Sequence, residues 1–561
     1  MGLGARALVT LAPATPTLRT RWLGRVSYEE AWDLQRALWE GRVTGRTSDD
    51  YVLLLEHPHT YTIGRNGDGS NLTIPASDLA DIGATLHNVD RGGDITYHGP
   101  GQLVGYPIVS IPKLDGGFDA VGHVRRIEEV LIATLGDLGI DAWAEDGFTG
   151  VWTAEGKIAA IGVRVSRGVS SHGFALNVDP SMAYFDNMIP CGIPDRPVTS
   201  VAEILGRKVS IEEVVELVVP YLIELSPSGT SEVQLGAFAR GTGRATFEVD
   251  RMVDAGVFGV ASGNEVPLMV RGLLAGEPEK PEWMKVRVDM RDPRFKELKK
   301  LNRELELNTV CEEAGCPNIY ECWSSGTSTL MLLGEICTRA CSFCDVKTGK
   351  PGVVDEDEPS RAADAIVAMG LKHAVLTSVN RDDLPDGGAT IFARTINEIH
   401  ERLPDCDVEV LIPDFKGDAD ALDIVLGAKP AVLNHNTETV LRLQRDIRTA
   451  ANYARSLTLL ARAKWANPSA IVKSGLIVGM GETDAEIIGA LADLNAVGVN
   501  VVTVGQYLRP TSHHRKVDRY VAPDVFDEYK TAGESFGISH VEAGPLVRSS
   551  YHAREALEAA V

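Results

Sequence analysis

The cysteines of this chain are concentrated in two neighbouring triplets, and this arrangement constrains the fold more than any other feature. The triplets are Cys311, Cys316 and Cys322, followed by Cys337, Cys341 and Cys344. A 4Fe–4S cluster is held by one thiolate on each iron, so three cysteines leave one iron free to bind a small chelating molecule. A structural zinc site is the alternative, but it needs four ligands, and no CxxC pair follows the second triplet. The sequence therefore predicts two iron–sulfur clusters with different roles.

The net charge and the distribution of the cysteines indicate the compartment of the protein and the classes of partner that it does not bind. The 561 residues carry a net charge of −23, without the basic excess that is typical of a nucleic-acid-binding protein. We find no apolar run long enough to span a bilayer. Clustered cysteines suit metal binding in a reducing compartment better than disulfide bonding. We therefore predict a cytoplasmic protein that binds neither nucleic acid nor membrane.

The chain divides into two α/β halves joined by a linker. In residues 1–228, strand-like runs alternate with helical ones such as 211–225, which indicates a mixed α/β domain. Residues 229–276 contain the glycine- and serine-rich stretches that are typical of a linker. From 277 to 561, β runs alternate regularly with helices, one of them predicted at 437–443. This repetition of βα units predicts a parallel sheet in an open or partial barrel.

The second half, from residue 281 to 553, resembles the lipoyl synthases of the radical S-adenosylmethionine superfamily. The resemblance is carried by segments around the cysteines, between the strands and at the tail: Glu312–Trp323, Arg381–Gly388, Asn434–Asn436, Lys473–Gly475, Gly505–Leu508 and Gly544–Ala553. It implies a partial (βα) barrel and S-adenosylmethionine bound to the free iron of one cluster. An electron from that cluster would then release a 5′-deoxyadenosyl radical, which can remove hydrogen from an unactivated carbon.

The same resemblance implies which residues hold each cluster. Cys337, Cys341 and Cys344 would hold the radical-generating cluster. Cys311, Cys316, Cys322 and Ser550 would hold an auxiliary cluster that is consumed as the sulfur source. A serine oxygen is a poor match for iron beside thiolates, so Ser550 would be displaced easily. Cys406 belongs to neither triplet, and we predict that it is structural.

The first half contains one cysteine, Cys191, in a loop flanked by Pro190 and Gly192. A lone cysteine is usually a small core residue, whereas a nucleophilic cysteine needs a basic or cationic neighbour. Lys157, His98 and His172 are all candidates for that neighbour. Position in the sequence alone does not distinguish among them.

Four segments of the first half resemble the lipoyl(octanoyl) transferases, which share the biotin/lipoate protein ligase fold: Arg91–Gln102, Gly156–Gly162, Ser171–Val178 and Ile189–Gly192. The resemblance implies Cys191 as the acyl-thioester nucleophile and Lys157 as its acid–base partner. Small residues in the implied acyl pocket suit a narrow slot for a straight alkyl chain. That pocket consists of Arg91, Gly92, Gly93, Asp94, Ile95, Thr96, Tyr97, His98, Ala160, Ile161, Gly162, Gly173, Phe174 and Ala175.

Together the two resemblances imply a bifunctional enzyme of lipoate biosynthesis. The first half would transfer octanoyl from acyl carrier protein, through Cys191, to a lysine of a lipoyl carrier domain of a 2-oxoacid dehydrogenase complex or the glycine-cleavage carrier protein. The second half would insert sulfur at carbons six and eight of that chain, using two 4Fe–4S clusters, S-adenosylmethionine and an external electron donor. Three alternatives remain: a non-catalytic docking module or an ATP-dependent ligase in the first half, and another sulfur-inserting radical enzyme in the second.

Overall fold

The computed structural model describes residues 16–189, 196–236, 278–284, 293–313, 316, 318–324, 329–551 and 553–560. These residues form two compact units. The first contains residues 16–22 and 48–233, and the second contains residues 23–47, 234–236 and 278–560. No helix among the described residues is long and apolar enough to cross a bilayer.

Strands and helices are mixed along residues 16–236. The strands are β1 (Thr17–Arg25), β2 (Asp50–Glu56), β3 (Thr60–Ile63), β4 (Thr85–Asn88), β5 (Ile95–His98), β6 (Gln102–Ile108), β7 (Lys113–Leu114), β8 (Gly117–Phe118), β9 (Trp143–Glu145), β10 (Phe148–Thr153), β11 (Gly156–Ser166), β12 (Val169–Asn177) and β13 (Thr230–Leu235). The α-helices are α1 (Tyr28–Thr44), which belongs to the second unit, α2 (Ala120–Asp137), α3 (Val201–Leu205) and α4 (Ile211–Val218).

The first unit is built on an eight-stranded sheet with the order β13-β1-β2-β6-β12-β11-β10-β9. Strands β2 and β6 lie in its middle and are almost entirely buried. Helix α2 packs on β9, β10 and β11. A smaller sheet, β4-β3-β5, carries Tyr61 and Tyr97 into a second apolar cluster with Met188. The prediction of a mixed α/β domain is confirmed.

One predicted helix of this unit is shorter than expected. The segment 211–225 forms α4 only as far as Val218, and residues 219–225 continue as a 3-10 helix. Pro220 explains the change, because proline has no backbone N–H and disrupts the hydrogen bonding of an α-helix interior.

The second unit alternates strands and helices in a regular way. Its strands are β14 (Asn308–Thr309), β15 (Thr329–Leu332), β16 (Ile336–Cys337), β17 (Lys347–Thr348), β18 (His373–Ser378), β19 (Asp407–Leu411), β20 (Val432–Asn434), β21 (Ile471–Val478), β22 (Val501–Gln506) and β23 (His540–Gly544). Besides α1, its α-helices are α5 (Pro293–Glu304), α6 (Val310–Glu313), α7 (Ile319–Ser324), α8 (Glu358–Met369), α9 (Ala389–Arg402), α10 (Ala419–Gly427), α11 (Gln444–Ile447), α12 (Tyr453–Ala466), α13 (Asp484–Ala496), α14 (Pro523–Phe536) and α15 (Ala553–Ala560).

The main sheet of the second unit is a partial barrel. Its order is β14-β15-β18-β19-β20-β21-β22-β23, and every pair from β15 to β23 is parallel. Helices α8 to α14 connect these strands, because successive parallel strands need a long crossover connection, which is usually a helix. Within the described residues, β14 does not pair with β23, so the barrel is open. The predicted partial (βα) barrel is confirmed.

The predicted helix over 437–443 is wrong. Glu438 has a φ of 63°, and its backbone bridges to Leu476 in β21. Left-handed backbone is incompatible with a continuing α-helix. The chain becomes helical only from Leu441, first as a 3-10 turn and then as α11.

A buried ion pair lies inside the barrel. Lys473 and Glu409 are 1% and 0% exposed, and the Lys473 Nζ donates to both carboxylate oxygens of Glu409, at 2.9 and 3.2 Å. The Asn434 side chain donates a further hydrogen bond to Glu409. Burial opposes ionisation of Glu409, but the charge of Lys473 outweighs it and lowers the pKa of the carboxyl.

We expect Lys473→Ala to lower the free energy of unfolding by about 3–5 kcal/mol, because it leaves a buried carboxylate without its counter-charge. Urea denaturation followed by tryptophan fluorescence would measure the change. The double variant Lys473→Met/Glu409→Leu should lose much less, since it removes both charges. Equal losses in the two variants would show that packing, not charge pairing, is at stake.

Candidate active sites

The second cysteine triplet lies on a short closed loop of the second unit. Cys337 ends β16, which pairs in parallel with β17, and the Cys344 N–H donates to the Cys341 carbonyl at 3.2 Å. The backbone N–H groups of Arg339 and Asn380 both donate to the Cys337 sulfur at 3.4 Å. Hydrogen bonds to ligand sulfurs are one of the means by which proteins tune iron–sulfur clusters.

Burial controls the protonation of the other two thiols of this triplet. It raises the pKa of Cys341 and raises that of Cys344 to about 12. The neighbouring cysteines add to both shifts through charge repulsion. Such thiols are protonated at neutral pH, so metal binding at this loop must release protons.

The first triplet lies in an aromatic environment. Cys311 is buried in α6, where Phe295 and Trp323 pack in the same apolar cluster. Its carbonyl accepts a hydrogen bond from the Cys316 N–H at 3.0 Å. Burial raises the pKa of Cys311 to about 11. Cys322 lies on α7, but its side chain falls outside the described part of the structure.

Cysteines from both triplets line one cavity of about 550 Å³ at the carboxyl ends of the barrel strands. Ser378, Leu411 and Gln506, at the ends of β18, β19 and β22, line it, and this end of a (βα) barrel is where active sites form. In the described residues, no three His, Cys, Asp or Glu side chains converge on a single metal ion. A cluster binds its cysteines on separate irons. The predicted ligands that line the cavity are Cys311, Cys316, Cys337, Cys341, Cys344 and Ser550.

A buried charge network holds the second triplet on the barrel. Arg339, between Cys337 and Cys341, donates to both oxygens of Asp382 at 2.7 and 2.8 Å and to Asp414 at 2.7 Å. Burial alone would favour the neutral acid, but the hydrogen bond and charge of Arg339 lower the pKa of Asp414 to about 2.

In the first unit, the predicted acyl-pocket residues lie side by side on neighbouring strands. Ala160, Ile161 and Gly162 of β11 pair directly with Ala175, Phe174 and Gly173 of β12. The Gly92 N–H donates to the Val163 carbonyl at 3.1 Å, which brings the segment 91–98 to the same edge.

Close packing explains the glycines of this region. A side chain at Gly173 would come within 2.1 Å of the Gly105 oxygen, and one at Gly162 within 3.0 Å of the Gly92 oxygen. Position 173 therefore requires glycine for backbone approach and position 162 favours it, whatever ligand the pocket holds.

Lys157, the second residue of β11, is closely packed. It is 8% exposed, and its Nζ lies 5.4 Å from the centre of the Trp152 indole. A side chain at Gly150, where φ is 125°, would come within 2.6 Å of Lys157 Cε. The Gly150 N–H donates to the buried carboxylate of Glu128 at 3.0 Å, so this glycine and its close contact are fixed in place.

The segment that follows Cys191 in the chain runs beside Lys157. The Lys157 N–H donates to the Pro197 carbonyl at 2.9 Å, and the Thr199 N–H donates to the Lys157 carbonyl at 3.1 Å. Cys191 itself lies outside the described residues.

The two histidines considered as partners of Cys191 have polar partners of their own. His98 Nδ1 lies 2.9 Å from Gln102 Oε1, and His172 Nε2 lies 2.7 Å from Asp90 Oδ1. Burial lowers the pKa of both imidazoles, which keeps them neutral at pH 7.

Comparison with known proteins places both halves. Residues 27–223 match the lipoyl protein ligase A/B catalytic domain, and residues 331–494 match the radical SAM superfamily. A lipoyl synthase of Rubrobacter xylanophilus is 53% identical over 283 residues, which are 50% of this chain and 88% of that protein. One of Thermus thermophilus is 52% identical over 296 residues, 52% of this chain and 91% of its own length. The chain belongs to the lipoyl synthase family. It carries a lipoyl protein ligase A/B catalytic domain in the same polypeptide.

Lipoyl synthase membership implies S-adenosylmethionine and 4Fe–4S chemistry, and the cavity residues fit such a group. The thiols of Cys337, Cys341 and Cys344 come from one loop, line one cavity and influence each other's ionisation. Apolar and aromatic neighbours of Cys311 and Cys316 shield the first triplet.

Sequence reasoning missed two residues of this lipoyl synthase site. Arg339 stands inside the second triplet, yet an arginine there could as well have faced solvent. Asn318 lies between Cys316 and Cys322, is 3% exposed and donates to the Leu546 carbonyl at 2.6 Å. The one feature of the sequence that could have identified these two residues is their position between cysteines.

We expect Arg339→Leu to lower the free energy of unfolding by about 3–5 kcal/mol at pH 7, since it leaves the buried Asp414 with only the more distant Arg455, whose Nη1 lies 3.6 Å away. In the wild type, Asp414 contributes stability above its ordinary pKa of 3.8, and that contribution is lost as the pH falls towards about 2. The difference between the two proteins should therefore shrink as the pH falls, first as the buried carboxyl of the variant takes up a proton above its ordinary pKa, and then as the wild type loses its contribution towards about pH 2. Urea titrations at several pH values would measure this.

Arg361→Leu is the matched control. Its partner Asp355 is exposed, so we expect a loss of about 1 kcal/mol or less. A pH-independent difference for Arg339→Leu would contradict the role of Asp414.

Proposed function

We propose that this chain catalyses two consecutive steps of lipoate biosynthesis. The first half transfers octanoyl from acyl carrier protein to a lysine of a lipoyl carrier domain. The second half inserts two sulfur atoms at carbons six and eight of that bound chain. The observation that carries the proposal is a lipoyl protein ligase A/B catalytic domain at 27–223 in the same chain as a lipoyl synthase.

In the first half, Cys191 attacks the octanoyl thioester of the carrier and becomes acylated. Lys157 serves as its acid–base partner: it takes the thiol proton and gives it to the departing carrier thiolate, then takes one from the attacking lysine amine and returns it to Cys191 as the amide forms. The close contacts with Trp152 and Gly150 support this role, because they restrict the directions in which the Lys157 ammonium can point. The segments 91–98, 160–162 and 173–175 would bind the alkyl chain.

In the second half, Cys337, Cys341 and Cys344 would hold the radical-generating cluster. With S-adenosylmethionine, that cluster supplies a carbon-centred radical that removes hydrogen from the octanoyl chain. Cys311, Cys316, Cys322 and Ser550 would hold the auxiliary cluster, which is a sulfur substrate. The shared cavity supports this assignment, because an octanoyl chain bound in it would lie near both the sulfur donor and the radical-generating cluster.

The proposal divides the chain at its linker. Residues 1–228 perform the acyl transfer, residues 277–561 perform the sulfur insertion, and residues 229–276 join them. Covalent joining raises the local concentration of the second site around the octanoylated domain. The proposed partners are octanoyl–acyl carrier protein, lipoyl carrier domains of 2-oxoacid dehydrogenase complexes or the glycine-cleavage system, and an electron donor.

Intact mass of a lipoyl carrier domain tests the proposal directly. The domain would be incubated anaerobically with the iron-loaded protein and octanoyl–acyl carrier protein, with and without S-adenosylmethionine and dithionite. We expect an octanoyl adduct without the cofactor and a lipoyl adduct with it. No adduct in either arm would refute acyl transfer by the first half, and the second half would then be tested on pre-octanoylated domain.

An ATP-dependent ligase is the second candidate for the first half, because the matching family covers lipoyl protein ligases A as well as B. A parallel reaction with free octanoate, ATP and Mg²⁺ separates the two. Product in that reaction alone would assign a ligase, whereas product from the acyl carrier protein alone would assign a transferase.

A further inference from the structure

The C-terminal tail contributes to the lining of the barrel cavity. After β23 ends at Gly544, residues 547–550 line the same cavity as Cys311 and Cys316. This tail segment contains Ser550, and two of its backbone hydrogen bonds are local: Val547 N–H to the Gly544 carbonyl, and Tyr551 N–H to the Arg548 carbonyl.

Two contacts from elsewhere in the second unit hold the tail. The Asn318 side chain donates to the Leu546 carbonyl at 2.6 Å. Gly505, the next-to-last residue of β22, lies so close that a side chain there would come within 2.1 Å of the Val547 oxygen. Of these two residues, only Asn318 lies within the segment that carries the first cysteine triplet, between Cys316 and Cys322.

We propose that Asn318 is a positioning residue that fixes the Ser550 hydroxyl against the auxiliary-cluster ligands. The inference rests on the proposed function, because it requires that cluster. Asn318 lies on the cysteine segment and bonds a carbonyl four residues before Ser550, so one hydrogen bond couples the two ligand-bearing segments. Its near-complete burial protects that bond from competition with water.

This coupling matters because serine is the weakest ligand of the set. Three thiolates would bind three of the irons, whereas a serine oxygen would stay on the fourth only while its backbone is held nearby. Asn318 therefore supplies the positional constraint that Ser550 lacks as a ligand. With the Leu546 carbonyl held by Asn318, Ser550 would leave an iron by movement of its side chain, without release of the tail.

The test measures iron release and cluster spectra rather than turnover. It uses the full chain with Cys344→Ala, so that the remaining iron is auxiliary. In this background we compare Asn318→Ala, Ser550→Ala and the double variant by Mössbauer spectroscopy and by the rate of anaerobic iron transfer to ferrozine. Asn318→Ala should accelerate iron release by about 10- to 100-fold, the range found for residues that orient metal ligands, and should shift the spectrum towards that of Ser550→Ala.

The double variant makes the test specific. If Asn318 acts through Ser550, the double variant should match Ser550→Ala, because the two changes remove the same interaction. Asn452→Ala, which removes the N-cap of α12, is the control for general loosening and should leave both readouts unchanged. A multiplicative effect of Asn318→Ala in the Ser550→Ala background, or wild-type release by Asn318→Ala alone, would overturn the inference.

Cys311→Ala separates failure of the proposed function from failure of the positioning role alone. If Cys311→Ala in the same background retains its iron, no auxiliary cluster is bound by this triplet and the proposed function is wrong. If Cys311→Ala loses iron but Asn318→Ala does not change its release, only the positioning role is wrong.

Discussion

Replacing Cys344 by alanine should abolish lipoyl product while leaving octanoyl transfer at the wild-type rate. The reason is that a triplet reduced to two thiolates no longer holds a cluster with one open iron. Intact-mass analysis of the carrier domain should show the octanoyl adduct accumulating even with S-adenosylmethionine and dithionite present. Iron content should fall by about half, because each 4Fe–4S cluster contributes four irons.

Cys406→Ala is the control for this variant. Cys406 is buried, but it lies just before β19 and does not line the cavity. We expect it to keep its iron and both activities. Residual lipoyl product from Cys344→Ala would mean that this loop does not hold the radical-generating cluster.

Replacing Cys191 by serine should have the opposite effect, with octanoyl transfer lost and sulfur insertion kept. Octanoyl transfer should fall by roughly 10³-fold or more, the scale seen when a catalytic nucleophile is removed. Sulfur insertion into a carrier domain that has been octanoylated beforehand should be unchanged, because the barrel does not use Cys191. The rate of octanoyl-domain formation from octanoyl–acyl carrier protein, followed by mass, measures the first effect.

The same variant distinguishes an enzyme from a docking module. Lys157→Met gives a second measurement: it should reduce octanoyl transfer while the Cys191 thioester is still detectable after a long incubation. If Cys191→Ser transfers octanoyl normally, the first half does not work by a cysteine thioester. If Lys157→Met also transfers normally, the acid–base group must be sought elsewhere in the unit.

Regular patterns in the sequence predicted the architecture well. The βα repetition of the second half appears as parallel strands in chain order, and β21 coincides with its strongly β-branched run. Those predictions succeeded because buried parallel strands have a distinctive composition that does not depend on distant contacts.

Predictions failed where tertiary contacts override local preference. The segment from Thr437 has helical spacing, but Glu438 bonds to strand β21 through its backbone, with its N–H to Gly475 and its carbonyl to Ile477. The pairing of Arg339 with Asp382 and Asp414 was equally invisible, because the three residues are far apart in the chain. Ser550 was reached through resemblance alone, since nothing in its local sequence indicates a metal ligand.

The buried thiols have a consequence for the life of the protein before it receives iron. A protonated thiol is a poor nucleophile, and the pKa of Cys344 is raised to about 12. Cys341 and Cys344 should therefore react slowly with peroxide and with disulfides, which consume thiolates. Once iron displaces their protons, the same side chains become firm ligands. A newly made chain that waits for cluster delivery should thus lose these two cysteines to oxidation slowly.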